Sequence, residues 1–311
     1  MQYVIGIDGG GTKTVLEISD LQGDVLGKYE GGPCNLNSKG VDFVKSMLKE
    51  LIQNSINDKK LFIDDCMGIC IGTAGAGRET ERRIIGNIIR ELKFIGELII
   101  TDDAETALYA GSGKGEGIIL ISGTGSICYG ITSTGTKHRV GGWGHLIGDE
   151  GSAYNIAVKI LNIVMKSYDG REEKTILTEL VLKKLNLNNA EDLIEYVYRK
   201  GNGKNEIAAI ATIIGEACDR GDKTAFRIVD ETVYELFNHI ETVVEKLSLC
   251  DKKISLVTNG SVINKNVFIR GKLEKLLIDK YPNIRMMQMK DDAAYGAVLI
   301  ILSKLKNEEM V

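Results

Sequence analysis

Short β-rich runs separated by tight turns begin the chain, and the same pattern recurs after residue 116. The first group predicts three strands at 2–8, 13–19 and 25–29, and turns this short require antiparallel neighbours. The second group repeats the order of strand, Gly/Thr turn, strand, turn and strand, at 117–122, 126–131 and 137–140. We therefore predict two copies of one unit in which three strands precede helices; two unrelated meanders are the alternative.

Apolar residues at helical spacing occupy most of the remaining chain. In the first half, strands at 67–71 and 98–101 alternate with predicted helices at 41–56, 78–92 and 104–110. In the second half, strands at 254–258 and 284–288 interrupt predicted helices at 151–167, 173–185, 190–199, 206–219, 222–248, 262–279 and 291–306. The fold class is therefore α/β. We predict one domain at 1–116 and a second at 117–311 with a helical insertion, and the last helix is a candidate to pack on the first domain.

The bulk composition excludes several classes of protein. With 43% hydrophobic residues and a mean hydropathy of −0.03, the 311-residue chain can bury a sizeable core. Its net charge of −4 gives no electrostatic reason to expect nucleic acid or a membrane as partner. We find no signal peptide and no apolar run of about 18 residues. Six cysteines without a CxxC pair predict free thiols and a cytoplasmic protein, and with three histidines they form no zinc-type cluster.

Glycine is concentrated in the first half, where 28 of the 36 glycines lie within residues 1–151. Two Gly/Thr turns at strand ends, 8–12 and 122–126, can point backbone N–H groups into a concavity that binds phosphate. Asp8 would repel phosphate but suits Mg²⁺, held through water. The candidate phosphate-binding residues are Gly10, Gly11, Thr12, Lys13, Gly123, Thr124 and Gly125. This pattern is typical of a metal–nucleotide site, with two purely structural turns as the alternative.

Other nucleotide-binding patterns are not found in the sequence. The chain contains no GxxxxGK[ST], which excludes a P-loop protein. It contains no GxGxxG, and the strands beside its glycines are predicted to be antiparallel, so a Rossmann dinucleotide site is disfavoured.

Four segments together resemble a known superfamily. The stretches 8–14, 73–77, 121–126 and 258–262 resemble the phosphate, connecting and adenosine motifs of the ATPases that include actin, heat-shock chaperones and hexokinase. Within it, GGWGHLIGDEGSAY at 141–154 resembles the N-acetylglucosamine kinases of the BadF/BadG/BcrA/BcrD-type group. The resemblance implies two ribonuclease-H-like lobes, with ATP and Mg²⁺ in the cleft between them and a sugar beside the γ-phosphate.

The resemblance also implies roles for individual residues. Thr12 and Thr124 match ATP phosphate contacts, Gly260 matches the adenosine loop, and residues 215–218 are the expected area of a further ATP contact. The residues that match sugar contacts are Asn35, Gly142, Trp143 and Asp149, although the residues flanking Asn35 differ from the family pattern.

A general base is expected at Asp102 or Asp103, where a predicted strand meets a predicted helix. The helix N-terminus would favour the ionised carboxylate. The family pattern, Asp-Ala opening a helix, matches Asp103, which leaves Asp102 to cap the helix or to orient its neighbour; simple capping is the alternative for either. Glu150 is the less favoured neighbour of Asp149, and His145 is interpreted as structural.

These residues predict an enzyme that phosphorylates the 6-hydroxyl of an N-acetylated amino sugar, N-acetylglucosamine or N-acetylmuramic acid, with ATP and Mg²⁺. Glucosamine kinase is an alternative, and the carboxylate of N-acetylmuramic acid would need a cation that the sequence does not place. An ATPase activator of a 2-hydroxyacyl-CoA dehydratase is disfavoured because no suitable cysteine pair for an iron–sulfur cluster is evident. A sugar-responsive repressor is disfavoured because the first strand begins near residue 3. A homodimer is expected from the resemblance alone.

Overall fold

Each predicted strand group becomes part of a five-stranded mixed sheet in a computed structural model that describes residues 1–73, 79–199 and 201–309. Contacts divide the chain into two compact units. The first unit is Met1–Gly117 with Met289–Val311, and the second is Ile118–Gln288.

The described residues of the first unit form the strands β1 to β5, five α-helices and a 3₁₀ turn at Ile63–Asp65. The strands are β1 Tyr3–Gly9, β2 Thr14–Ser19, β3 Val25–Gly31, β4 Cys66–Thr73 and β5 Glu97–Thr101. The helices are α1 Leu36–Lys39, α2 Val41–Asp58, α3 Glu79–Arg90, α4 Asp103–Ser112 and, from the end of the chain, α13 Ala293–Glu309. The sheet order is β3-β2-β1-β4-β5, antiparallel from β3 to β1 and parallel from β1 to β5.

The second unit repeats this sheet and adds a larger helical part. Its strands are β6 Gly117–Ser122, β7 Ser126–Ile131, β8 Lys137–Gly141, β9 Ile254–Asn259 and β10 Ile284–Gln288. Its helices are α5 Ala153–Tyr168, α6 Ile176–Leu185, α7 Asp192–Tyr198, α8 Lys204–Ala208, α9 Ile214–Asp219, α10 Lys223–Lys246, α11 Ser261–Lys265 and α12 Val267–Lys280. The order β8-β7-β6-β9-β10 matches that of the first sheet, which confirms the predicted repeat.

Apolar residues cover both faces of the first sheet. On one face, Ile5 and Leu16 pack in one core cluster with Leu48 of α2 and Ile85 of α3. On the other face, α13 packs against α4, β1 and β4. Because helices lie on both faces, the central strands are buried. The strands β1, β4 and β5 are parallel, so their carboxyl ends meet at one edge of the sheet.

Two predicted helices are divided in the structure. The segment 206–219, predicted as one helix, consists of α8, a 3₁₀ turn at Ala209–Ile213 and α9. The segment 262–279 is interrupted at Asn266, which has an extended backbone and whose side chain accepts hydrogen bonds from the backbone N–H groups of Phe268 and Ile269. Asn266 therefore caps α12, because its carboxamide oxygen satisfies donors that a continuous helix would have paired internally. No helix in the described ranges is both long and apolar enough to span a membrane.

Gly296→Ala is expected to reduce the free energy of unfolding by about 3 kcal/mol, because α13 lies directly against α4 at this glycine. A Cβ atom there would lie 1.8 Å from the carbonyl oxygen of Thr106 and 2.8 Å from the backbone nitrogen of Ala110. The control is Gly271→Ala in α12, where a Cβ meets no described atom within 4 Å and a small gain of about 0.5–1 kcal/mol is expected. Urea unfolding of both variants measures the difference, and equal stabilities would contradict the close helix contact.

Candidate active site

The first glycine turn joins β1 to β2 at the carboxyl end of β1. The backbone N–H of Gly10 donates to the carbonyl of Lys13 at 3.0 Å, and the N–H of Cys34 donates to the carbonyl of Gly10 at 3.0 Å. A Cβ at Gly9 would lie 2.9 Å from that of Cys34, so the turn and the segment before α1 pack closely. The structure therefore brings Asn35, the predicted sugar ligand, next to the predicted phosphate turn.

The polar side chains of this turn reach solvent. Gly11, Thr12 and Lys13 are exposed. The Lys13 ammonium group pairs with the carboxylate of Glu30 on β3, and both side chains are more than half exposed. An exposed pair of this kind contributes little stability, so Lys13 can exchange Glu30 for another anion at small cost.

Asp8 and Asp103 are the two predicted acidic site residues of the first unit. Asp8 lies at the end of β1, and Asp103 is the first residue of α4, directly after β5. Burial and, secondly, the negative charge of Asp103 raise the pKa of Asp8 to about 7, while Lys13 acts in the opposite direction. The effect of Asp103 on the pKa of Asp8 indicates that the two carboxylates lie near each other.

Asp102 occupies the N-cap position of α4, and its backbone carbonyl accepts from the N–H of Glu105 at 3.1 Å. Its carboxylate lies 3.9 Å from the guanidinium of Arg82 on α3. The Asp103 carboxylate accepts a hydrogen bond from the backbone N–H of Ala104 at 2.9 Å. These contacts thus place Asp102 beside Arg82 and Asp103 at the first backbone N–H groups of α4.

Two polar residues that sequence reasoning missed, Thr101 and Glu105, lie on either side of the predicted base, Asp103. The Thr101 hydroxyl at the end of β5 donates to the carboxylate of Glu105 in α4, and both side chains are buried. This bond crosses the strand–helix junction that carries Asp103. In the sequence, Glu105 reads only as an acid in the first turn of a helix, so no pattern identifies it.

Thr73 anchors the predicted connecting segment. Its hydroxyl donates to the carbonyl of Cys34 at 3.1 Å. The other residues of that motif, 74–77, lie outside the described residues.

In the second unit, the glycine turn at Gly123–Gly125 is bound to the segment before α5. The N–H of Gly123 donates to the carbonyl of Gly125 at 2.9 Å, and the carbonyl of Gly123 accepts from the N–H of Ala153 at 2.8 Å. The hydroxyls of the strand residues on either side donate to the backbone of the same segment: Ser122 to Gly151 at 2.7 Å and Ser126 to Glu150 at 2.5 Å. The predicted phosphate turn and the end of the predicted sugar loop are therefore one rigid assembly.

Gly260 belongs to the same assembly. Its φ of +101° is in the left-handed region, and a Cβ would lie 2.3 Å from the carbonyl oxygen of Ser122 and 2.8 Å from the nitrogen of Gly123. Only glycine allows this approach. The loop after β9 thus packs directly on the phosphate turn, as expected for two parts of one nucleotide site.

A cavity of about 580 Å³ adjoins this assembly, within the size range of small-molecule sites. Thr124 lines it at the turn, and Gly215 and Glu216 of α9 line it at the segment predicted to contact ATP. The opposite wall, which sequence reasoning missed, comes from α11 and the start of α12, including Val262 and Phe268. Its lining is partly apolar, which suits a nucleobase and ribose.

Asp149 and Glu150 have different environments despite being adjacent. The Asp149 side chain is only 5% exposed, and its carboxylate lies 2.7 Å from the ammonium group of Lys204. The Glu150 side chain is 42% exposed and lies 3.9 Å from the imidazole of His239. Lys204 was missed because 55 residues separate it from its partner and no pattern links them.

Arg139, another residue that sequence reasoning missed, contacts the predicted sugar loop. Its guanidinium donates to the carbonyls of Gly141 at 3.1 Å and Gly142 at 2.7 Å, and lies 4.4 Å from the centre of the Trp143 ring. The Trp143 side chain is 62% exposed, so an apolar ring face is available to a ligand. His145 packs edge-on against Tyr154 at 4.7 Å, which agrees with its structural interpretation.

The donor set suits a metal that is bound mainly by water and phosphate. Within the described ranges, no group of three or more His, Cys, Asp or Glu side chains is placed to hold an ion. Mg²⁺ is commonly bound by one or two carboxylates together with substrate phosphates, so a single predicted ligand such as Asp8 would be compatible with it.

Comparisons with known proteins agree with this arrangement. The model of the BadF/BadG/BcrA/BcrD ATPase family matches residues 5–300. An N-acetylmuramic acid/N-acetylglucosamine kinase of Clostridium acetobutylicum is 46% identical, covering 98% of this chain and 99% of its own. An N-acetyl-D-glucosamine kinase of Dictyostelium discoideum is 35% identical, again covering 98% and 99%.

A solved structure shows the same fold. It is a protein of Chromobacterium violaceum provisionally named an N-acetylglucosamine kinase, with a TM-score of 0.75 and 23% identity. The match covers 97% of this chain and 99% of that one. This likeness, with the two five-stranded sheets, confirms the predicted α/β class.

Proposed function

The chain belongs to the BadF/BadG/BcrA/BcrD ATPase family, and from this membership we propose that it transfers the γ-phosphate of ATP to the 6-hydroxyl of an N-acetylated amino sugar. The near-full-length similarity to the clostridial kinase carries this proposal and indicates N-acetylglucosamine and N-acetylmuramic acid as the sugars. Each part of the reaction can then be assigned to described residues.

The nucleotide is assigned to the cavity and the glycine turn that adjoins it. The adenosine lies between α9 and α11, beside Gly260, and the phosphates extend to the backbone N–H groups of Gly123–Gly125 and the hydroxyl of Thr124. The first turn, Gly10–Lys13, supplies further N–H groups and a cation. Asp8 would hold Mg²⁺ through water, and the bound ion would neutralise charge on the phosphates.

The sugar is assigned to Asn35, Gly142, Trp143 and Asp149, with the reacting hydroxyl at Asp103. Trp143 offers a ring face to the pyranose, and Asp149 offers a carboxylate to its hydroxyls. Arg139 keeps this loop in one conformation through its two carbonyl contacts. A preformed loop lowers the entropy lost when the sugar binds.

Phosphoryl transfer then requires little covalent chemistry from the protein. The oxygen of the sugar 6-hydroxyl attacks the γ-phosphorus and forms a new O–P bond. The bond from that phosphorus to the β–γ bridging oxygen breaks, and ADP leaves with both bonding electrons. The proton of the hydroxyl passes to the carboxylate of Asp103, whose position after β5 is fixed by the bond between Thr101 and Glu105.

Gly215→Leu is expected to raise the KM for ATP about tenfold, because the added side chain would occupy the cavity and the overlap costs about 1–3 kcal/mol. A Cβ at Gly215 meets no described atom within 4 Å, so the substitution does not strain α9 itself. Steady-state kinetics with each substrate varied in turn measure the effect, with Gly215→Ala as the milder control. An unchanged KM for ATP would place the nucleotide elsewhere.

A substrate panel tests the function itself. The purified protein is assayed with Mg-ATP and, separately, N-acetylglucosamine, N-acetylmuramic acid, glucosamine and glucose, with ADP release coupled to NADH oxidation. We expect turnover with the two N-acetylated sugars. Turnover with glucosamine alone would favour a glucosamine kinase, and sugar-independent ADP release would indicate a different ATPase.

The proposal includes a cytoplasmic homodimer. The six free thiols, five of them buried, agree with a reducing compartment. The dimer rests on the family resemblance alone, and sedimentation of the purified chain measures it.

A further inference from the structure

Lys204 places a positive charge on a buried carboxylate of the proposed sugar site. It is the first residue of α8, and its ammonium group lies 2.7 Å from the Asp149 carboxylate. A buried carboxylate without a counter-charge is strongly destabilising, and this contact supplies a counter-charge to the buried side chain of Asp149.

The same ammonium group also lies on the phosphate turn. A Cβ built on Gly125 would be 3.0 Å from the Lys204 nitrogen and 3.0 Å from the Asp149 carboxylate oxygen. A side chain at Gly125 would therefore crowd the ion pair. The cation thus contacts a proposed sugar ligand and lies close to a proposed phosphate-binding loop.

Lys204 has capacity for a further partner. An ammonium group carries three N–H donors, and among the described residues that of Lys204 donates to Asp149. The Lys204 side chain is 32% exposed, so an incoming ligand can reach it, whereas Asp149 beneath it is almost fully buried. The contact with Asp149 holds the ammonium group in place while about a third of the Lys204 side chain stays accessible to solvent.

We infer that Lys204 is a substrate-binding residue whose ammonium group, anchored by Asp149, binds an anionic oxygen of the bound substrates. Two sources supply such an oxygen: the terminal phosphoryl group of ATP, reached from Gly125, and the carboxylate of N-acetylmuramic acid, reached from Asp149. This inference rests on the proposed function and adds to it a cation that recognises an anionic group of a substrate.

The test compares Lys204→Met with wild type on both sugars. For each, kcat and the KM values for sugar and ATP are measured on one protein preparation, so that the folded fraction cancels in the ratio between sugars. Lys159→Met is the matched control, because Lys159 is similarly exposed at 27% and pairs with Glu231 at 2.8 Å outside the proposed site. Lys204→Gln provides a second variant should the methionine variant fold poorly, and Lys204→Arg, which keeps the charge, should recover activity.

Each outcome decides the inference. A fall in kcat of about tenfold or more that is equal for both sugars, seen in Lys204→Met and Lys204→Gln at wild-type thermal stability and recovered in Lys204→Arg, assigns the phosphoryl oxygen. A loss of at least about tenfold in kcat/KM confined to N-acetylmuramic acid assigns the carboxylate. Unchanged kinetics, or a higher sugar KM alike for both sugars with kcat retained, overturns the inference and leaves Lys204 as a structural counter-ion of Asp149. If wild type phosphorylates neither sugar, the proposed function fails instead.

Discussion

Asp103→Asn is expected to lower kcat by about three orders of magnitude and to leave the fold intact, because the amide keeps the shape of the carboxylate but cannot accept the hydroxyl proton. The position is fixed independently of the charge: Asp103 starts α4, and the bond from Thr101 to Glu105 holds the strand–helix junction. The KM for sugar should change far less than kcat, since the amide can still hydrogen-bond the 6-hydroxyl.

Asp102→Asn is the matched control for this prediction. Asp102 is adjacent in sequence, but its carboxylate lies by Arg82. We expect a change in kcat of less than about tenfold, which corresponds to roughly 1.4 kcal/mol of barrier. Single-turnover measurements at saturating ATP separate the chemical step from product release. Full activity of Asp103→Asn, or a larger loss in Asp102→Asn, would remove Asp103 as the base.

Asp8→Asn is expected to abolish most of the activity while stabilising the metal-free protein at high pH. Burial and the charge of Asp103 raise the pKa of Asp8 to about 7, far above its ordinary value of 3.8, so the fold favours the protonated form. The stability that protonation gives is therefore fully present below about pH 4 and is lost as the pH rises through 7. Asparagine resembles the protonated acid and avoids this loss.

The stability difference between variant and wild type should thus grow with pH. Near pH 4 it should be small, and at pH 8 it should approach about 4 kcal/mol as an upper value, since each pKa unit is worth about 1.4 kcal/mol. Urea unfolding in EDTA at several pH values measures it. A difference that does not depend on pH would contradict the burial of an ionisable Asp8. In Asp103→Asn, stability should fall at a lower pH than in wild type, because one of the two causes that raise the pKa of Asp8 is removed.

The strands were predictable from sequence because their signals are local. The strand at 126–131 and the strand at 284–288 have the predicted bounds, since each is a short β-rich run ended by turn residues. The repeat was predicted from the order of strands and turns that 2–29 and 117–140 share. The helical part was harder: apolar spacing continues through Asn266, and only the hydrogen bonds of its side chain reveal that α12 begins there.

The residues of the candidate site could be proposed from the sequence only where one contiguous segment carries them. The glycine turns and the loop at 141–154 are contiguous, so they could be identified from residue type and resemblance. Lys204 and Asp149 meet through the packing of α8, and Arg139 reaches carbonyls that have no sequence signature. Gly260 was placed by its resemblance, but its reason is geometric, because a side chain would collide with the carbonyl of Ser122. Contacts between distant segments are set by tertiary packing, which a single sequence does not display.

Identification of the phosphorylated atom tests the central claim most directly. N-acetylglucosamine and Mg-ATP are incubated with the protein, and the product is analysed by ³¹P and ¹H NMR, with the 6-deoxy sugar in a parallel reaction. The account predicts a phosphomonoester coupled to the two protons on C6, and no phosphosugar from the 6-deoxy sugar. A phosphate on the anomeric carbon, or phosphorylation of the 6-deoxy sugar, would contradict it.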